Sequence, residues 1–202
     1  MSTKIVGIGG LSRGGKDSLA ELFLESGYFG ISFGDFLRNY ARKRHRDKAD
    51  PISVANMTET SNWLRMTYGP DVILKAALNE FEKAKKAGND YKGIVLWSIR
   101  APVEVDFILA RGGDLVWVEA SDVVRHQRAL KSLRKGEERI SLEQYNANEA
   151  LQWKPQPGIP KKVQMDASYV QAHATRIFEN NGDSLDEFLT RGKALINEMS
   201  AA

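Results

Sequence analysis

Apolar positions along the chain follow two alternating rhythms. Short runs rich in β-branched and aromatic residues, Lys4 to Ile8, Tyr28 to Phe33, Ile94 to Trp97, Leu115 to Val118 and Ala174 to Phe178, read as strands. Between them apolar residues recur at helical spacing, as with Leu19, Ala20, Leu22 and Phe23 in the stretch from Lys16 to Leu24. Further helices are predicted over about 35–46, 53–67, 71–87, 102–111, 121–134, 141–151 and 184–199. Gly88-Asn89-Asp90 stops a helix ahead of the third strand, and Ile94 to Trp97, the most apolar run, predicts a buried central strand. Strands separated by helices require βαβ crossovers, hence a parallel sheet covered on both faces. The predicted fold is a three-layer α/β/α domain around a five-stranded parallel sheet.

Two segments do not serve that sheet. Residues 36–90 supply only helices between the second and third strands, and residues 129–165 open with a charged stretch and close on a proline-rich one. Insertions of this kind in α/β enzymes are often lids or substrate-gripping units, though surface excursions also occur.

Composition narrows the class. At 202 residues one domain is expected, and 42% hydrophobic with 27% charged residues is an ordinary globular balance. The absence of cysteine excludes disulfides, thiol catalysis, zinc fingers and iron–sulfur ligation. No apolar run reaches the roughly 18 residues of a membrane span, and the N-terminal M-S-T-K-I-V-G does not read as a signal peptide. A cytoplasmic protein without a membrane partner is expected. A net charge of +3 is small, so the sequence pI near 9.0 reflects local clustering and not a nucleic-acid-binding field.

The clearest chemistry lies between the first strand and the first helix. Gly10-Leu11-Ser12-Arg13-Gly14-Gly15-Lys16-Asp17-Ser18 reads G-x-x-x-x-G-K, with Asp17 where a Walker A loop has Ser or Thr. Glycines let backbone N–H groups curl around phosphate oxygens, the helix N-terminus adds partial positive charge, and Lys16 adds a full one. The expected ligand is ATP. A carboxylate at position 17 is a hard ligand for Mg²⁺, but it also brings negative charge toward the phosphates. ATP binding is therefore expected to depend strongly on Mg²⁺, with Asp17 as its protein ligand. The competing reading of the loop is a glycine-rich turn capping a helix.

With Gly34-Asp35-Phe36-Leu37-Arg38 after the second strand, the chain resembles the adenylate kinase and nucleoside monophosphate kinase superfamily. The markers are the phosphate loop, G-D-F-L-R, L-R-M-T-Y-G-P-D (64–71), I-R-A-P-V-E-V (99–105) and I-F-E-N-N-G-D-S-L-D-E-F (177–188), in family order over nearly the whole chain. The resemblance implies a P-loop NTPase fold with a core of about 1–34, 91–128 and 166–202, a helical acceptor-binding insertion of about 35–90 and a lid of about 129–165. It implies that Arg38 and Arg100 grip an acceptor phosphate, with Asp35 and Arg65 as further candidates. Arg65 stands equally well as a solvated helix arginine. Arg128 and Arg134 are the expected lid arginines, with Arg125 and Arg139 as alternates. Asn181, in Asn180-Asn181-Gly182, is expected at the donor base, although Asn-Gly is also a turn signal.

One departure is marked. The family's third strand ends in a metal-orienting aspartate, and alignment on Arg100 puts Trp97 there. Either Asp17 has taken over the metal or transfer has been lost and nucleotide binding remains. The leading expectation is Mg²⁺- and ATP-dependent transfer to a ribo- or deoxynucleoside monophosphate by a monomer or homodimer. The alternatives are a dephospho-CoA kinase, with Asp35 as base, and a silent nucleotide-binding regulator. His45, His126 and His173 have no metal-ligand spacing, and the basic run from Arg42 to Arg46 reads as a charged helix face.

Overall fold

The computed structural model describes residues 3–133, 138–155, 157–158 and 160–201. Its sheet is five-stranded, parallel throughout and ordered β2-β3-β1-β4-β5, with β1 Lys4–Gly10, β2 Phe29–Ser32, β3 Gly93–Ile99, β4 Asp114–Glu119 and β5 Arg176–Glu179. This is the predicted sheet. β1 lies at its centre and is buried from Ile5 to Gly10, so the loop that follows it leaves from the middle of the carboxyl edge, where open α/β sheets place ligands.

Alternation along the strands separates two cores. Ile94, Leu96, Leu115 and Trp117 pack with Phe33, Leu64, Ile73, Phe81 and Val170, against α2 Phe33–Arg44, α3 Val54–Tyr68, α4 Val72–Lys86, α5 Pro102–Leu109 and α8 Ala167–Ala172. Val95, Val116 and Val118 face the other way, onto α1 Lys16–Glu25 and α9 Leu185–Ala201, through Leu19, Phe23, Phe188, Ile196 and Met199. α6 Asp122–Lys131 and α7 Leu142–Trp153 follow β4 and pack on each other.

Several boundaries moved for identifiable reasons. Phe33 opens α2 and does not extend β2, because the Ser32 hydroxyl accepts the Asp35 N–H (3.0 Å) and caps the helix. α8 was not anticipated; six residues cannot display a helical period, and its cap is Asp166, which accepts the Tyr169 N–H (2.9 Å). β3 runs past Trp97 to Ile99, with a register shift opposite Ile8 and Gly9. Ser98 is the extra residue, at a left-handed φ of 65°, and Ile99 thereby returns to the core face of Ile94 and Leu96.

A non-glycine residue in that conformation costs roughly 1–2 kcal/mol, and glycine would return about 0.5–1 kcal/mol of that through its greater freedom when unfolded. Ser98→Gly is therefore expected to stabilise the chain by about 0.5–1 kcal/mol, seen as a higher urea midpoint at unchanged m-value. A lower midpoint would show that the hydroxyl makes an interaction worth more than the strain.

Candidate functional site

The phosphate loop is built by close approach. Gly15 has φ 102°, and a Cβ there would come within 2.4 Å of Asn180 Nδ2. That amide donates to the Gly14 carbonyl (2.8 Å), so the end of β5 braces the loop from behind. Lys16 is 5% exposed and donates from Nζ to the Leu11 carbonyl (2.6 Å). Ser12, Arg13, Lys16 and Asp17 border a cavity of about 610 Å³. Gly10, Gly14 and Gly15 shape the loop without lining that cavity, and Ser18 is exposed on the first turn of α1. Asp17 Oδ1 accepts the indole N–H of Trp97 (3.0 Å).

The opposite wall carries arginines from three elements. Arg38 of α2, Arg65 of α3 and Arg100 after β3 all line the cavity with Ser98. Arg38 forks onto Asp35 Oδ1, at 3.0 Å from Nε and 2.5 Å from Nη2. Asp35 itself is 62% exposed and outside the wall. Arg65 is not a solvated helix arginine: it is 2% exposed, donates to Ser61 Oγ, and pairs through Nη2 with Glu104 Oε1 (2.6 Å). The other oxygen of Glu104 accepts the N–H groups of Arg100 (2.9 Å) and Ala101 (3.0 Å). One buried carboxylate thus fixes both Arg65 and the turn that carries Arg100.

Burial pushes the Arg100 guanidinium down to about 10, against the pull of Glu104 and then Asp17. It stays charged at neutral pH. Arg65 Nε and Arg100 Nη1 are buried and have no hydrogen-bond partner among the described residues. Three guanidinium groups on one cavity wall suit an incoming oxyanion.

Helices α6 and α7 close the third side. Arg125 is buried, donating from Nε to the Ala120 carbonyl (2.9 Å) and from Nη1 to Glu149. Glu149 Oε1 accepts the Ser12 N–H (3.1 Å), and the Tyr145 hydroxyl donates to the Ser12 carbonyl (3.1 Å). Burial raises the Tyr145 phenol, so it remains a donor at neutral pH. Both helices are thereby pinned to the phosphate loop.

Other expected residues lie elsewhere. Arg128 donates to the Gly182 carbonyl (2.9 Å) and braces that turn; it does not line the cavity. Asn181 Oδ1 accepts the Ser121 N–H (2.8 Å), and its neighbour Asn180 is the one that meets the loop. Arg134 falls outside the described residues, and Arg139 is exposed. The three histidines each have partners: His45 meets Glu59 and Thr60, His126 the Ile140 carbonyl and His173 the Tyr169 carbonyl. In the basic run, Arg44 pairs with Glu59 (2.7 Å).

Glu104, Glu149 and Asn180 are the residues that sequence reasoning did not single out. Glu104 had a signal, since A-P-V-E places proline at the first helical position and glutamate at the third, a helix start whose glutamate reaches back to the cap.

No protein-family model and no curated protein sequence matches the chain. Solved structures do match over almost its whole length. Dephospho-CoA kinase from Campylobacter jejuni superposes with a TM-score of 0.53 at 14% identity, covering 98% of this chain and 97% of that one. A protein from Chloroflexus aurantiacus gives 0.54 at 11% identity, and one from Thermus thermophilus 0.50 at 21%, each covering 98% of both chains. At these identities the likeness is one of fold, and the fold is that of the P-loop kinases. Among the described residues no helix is long and apolar enough to cross a membrane.

Proposed function

We propose that this chain, built on the P-loop kinase fold, transfers a phosphoryl group from Mg²⁺-ATP to a small acceptor that already carries a phosphate, a ribo- or deoxynucleoside monophosphate. One observation carries the reading. Arg38, Arg65 and Arg100 share a cavity with Lys16 and the phosphate loop. A phosphate dianion among these guanidinium groups would be held by charge-assisted bonds.

In this reading ATP lies along Ser12 to Ser18 with Lys16 at its β- and γ-phosphates. The arginines hold the acceptor phosphate in line and offset its repulsion from the donor. The acceptor oxygen is already ionised, so no general base is required. A hydroxyl acceptor would need one, and Asp35, the candidate for that role, sits outside the cavity wall on Arg38. The donor set suits Mg²⁺. Asp17 offers one hard carboxylate on the cavity wall, and no group of three His, Asp or Glu forms a cage among the described residues. That matches an ion that keeps its waters and takes its other ligands from phosphate oxygens. When bound, Mg²⁺ would neutralise charge on the transferring group.

The test is ADP release from Mg²⁺-ATP across all ribo- and deoxynucleoside monophosphates plus dephospho-CoA. Turnover on a monophosphate is expected. Arg38→Ala should raise the acceptor KM roughly 10- to 100-fold and leave kcat within about threefold. A loss in kcat with KM unchanged would remove Arg38 from ground-state binding. Turnover on dephospho-CoA alone would move the reading to a hydroxyl acceptor, and ATP binding with silence throughout would make the chain a nucleotide-binding module.

A further inference from the structure

Trp97 meets Asp17 across 80 residues of sequence, and the surrounding backbone is shaped for that meeting. Strand alternation turns Val95 and Trp97 toward the α1 side of the sheet, and the bulge at Ser98 ends that alternation immediately after the indole. On the neighbouring β2, Gly30 leaves the ring its seat: a Cβ there would fall 2.9 Å from Trp97 Cζ3 and 2.3 Å from Leu24 Cδ2. The indole has one donor and no acceptor, and that donor goes to Oδ1 of a carboxylate in the first turn of α1. Oδ2 has no protein hydrogen bond among the described residues, and Asp17 borders the cavity.

We propose that Trp97 is a positioning residue for the metal-bearing nucleotide: its indole N–H fixes the Asp17 carboxylate in one rotamer, leaving Oδ2 for the cation that accompanies ATP. This rests on the phosphoryl-transfer reading and explains how the third strand contributes to the metal site without a carboxylate of its own. The exposed Asp17 side chain would otherwise sample several staggered rotamers.

The experiment titrates Mg²⁺ at fixed ATP and reads nucleotide binding calorimetrically, without an acceptor, in wild type, Trp97→Phe, Asp17→Ser and the double variant. Trp97→Phe keeps an aromatic ring on the strand, smaller than the indole, and removes the N–H. It should raise the Mg²⁺ concentration for half-maximal binding about five- to tenfold, and in the Asp17→Ser background the same change should have no effect. An unchanged Mg²⁺ requirement, or an equal penalty in both backgrounds, would overturn the proposal, the latter by showing that the ring acts only through packing.

A second measurement does not depend on Trp97→Phe folding. Of the indole N–H resonances from the four tryptophans, the one that moves in Asp17→Ser should also move when Mg²⁺ is added to the ATP-loaded wild type. A resonance indifferent to Mg²⁺ overturns the positioning role while leaving ATP binding intact. A wild type that binds no ATP at any Mg²⁺ concentration overturns the phosphoryl-transfer reading and the positioning role together, and so is a different result.

Discussion

Glu104→Ala should cost the chain about 3–5 kcal/mol of stability, against a total of about 5–15 kcal/mol for a domain of ordinary stability. The reason lies in what the carboxylate leaves behind. Arg65 is 2% exposed and its Nη2 has Glu104 as partner, while the N–H groups of Arg100 and Ala101 share the other oxygen. Alanine strands a buried cation and uncaps α5 in one step. Glu104→Gln keeps an amide oxygen for one side of the arrangement and loses the charge, so its penalty should be smaller. Replacing both partners with apolar residues, Arg65→Met with Glu104→Leu, should restore the share of the stability lost through the unpaired cation, because paired buried charges are close to neutral against a well-packed apolar pair. That double variant separates folding from function: it should recover the part of the loss due to the stranded Arg65 cation, keep the part due to the uncapped Arg100 and Ala101 N–H groups, and fail to use the acceptor. A loss below about 1 kcal/mol in Glu104→Ala would mean that water reaches Arg65, and the acceptor wall would then be far wetter than the buried pair suggests.

The same cluster shows what a sequence reveals and what it hides. The strands announced themselves because burial on both faces leaves a local record, a dense β-branched run such as Ile94 to Leu96. The phosphate loop was legible because its glycines and Lys16 are neighbours in the chain and their spacing is the site. Arg65 gave even odds, since a helical arginine looks the same whether its partner is water or a glutamate 39 residues away. Glu149 and Asn180 were hidden for that reason too: their partners, Ser12 and Gly14, lie 137 and 166 residues away in the chain. The end of β3 differs from the sequence pattern for another reason. A bulge breaks the alternation that defines a strand, so the pattern stops at Trp97 while the backbone continues to Ile99.

Lys16→Ala should yield a folded chain that has lost its nucleotide chemistry. The lysine donates to the Leu11 carbonyl, a bond whose net contribution is about 0.5–1.5 kcal/mol. Alanine also removes a cation from the positive end of α1, so the melting temperature without ligand should stay within a few degrees of wild type. The functional loss should be much larger. Removing a preorganised donor from a transferring group typically costs roughly 10²–10³ in turnover, and Lys16 also supplies charge to ATP in the ground state. Thermal unfolding reads both effects in one experiment. With Mg²⁺-ATP at about 100 times its Kd, the wild type should gain about 2.7 kcal/mol, a rise in melting temperature that Lys16→Ala should not share. Should the variant gain as much as wild type and still turn over, ATP would have to sit elsewhere in the cavity, and the lysine would be only an anchor for the Leu11 carbonyl. Should it gain as much and not turn over, Lys16 would act in the transition state alone, leaving ATP binding to the loop N–H groups and Asp17.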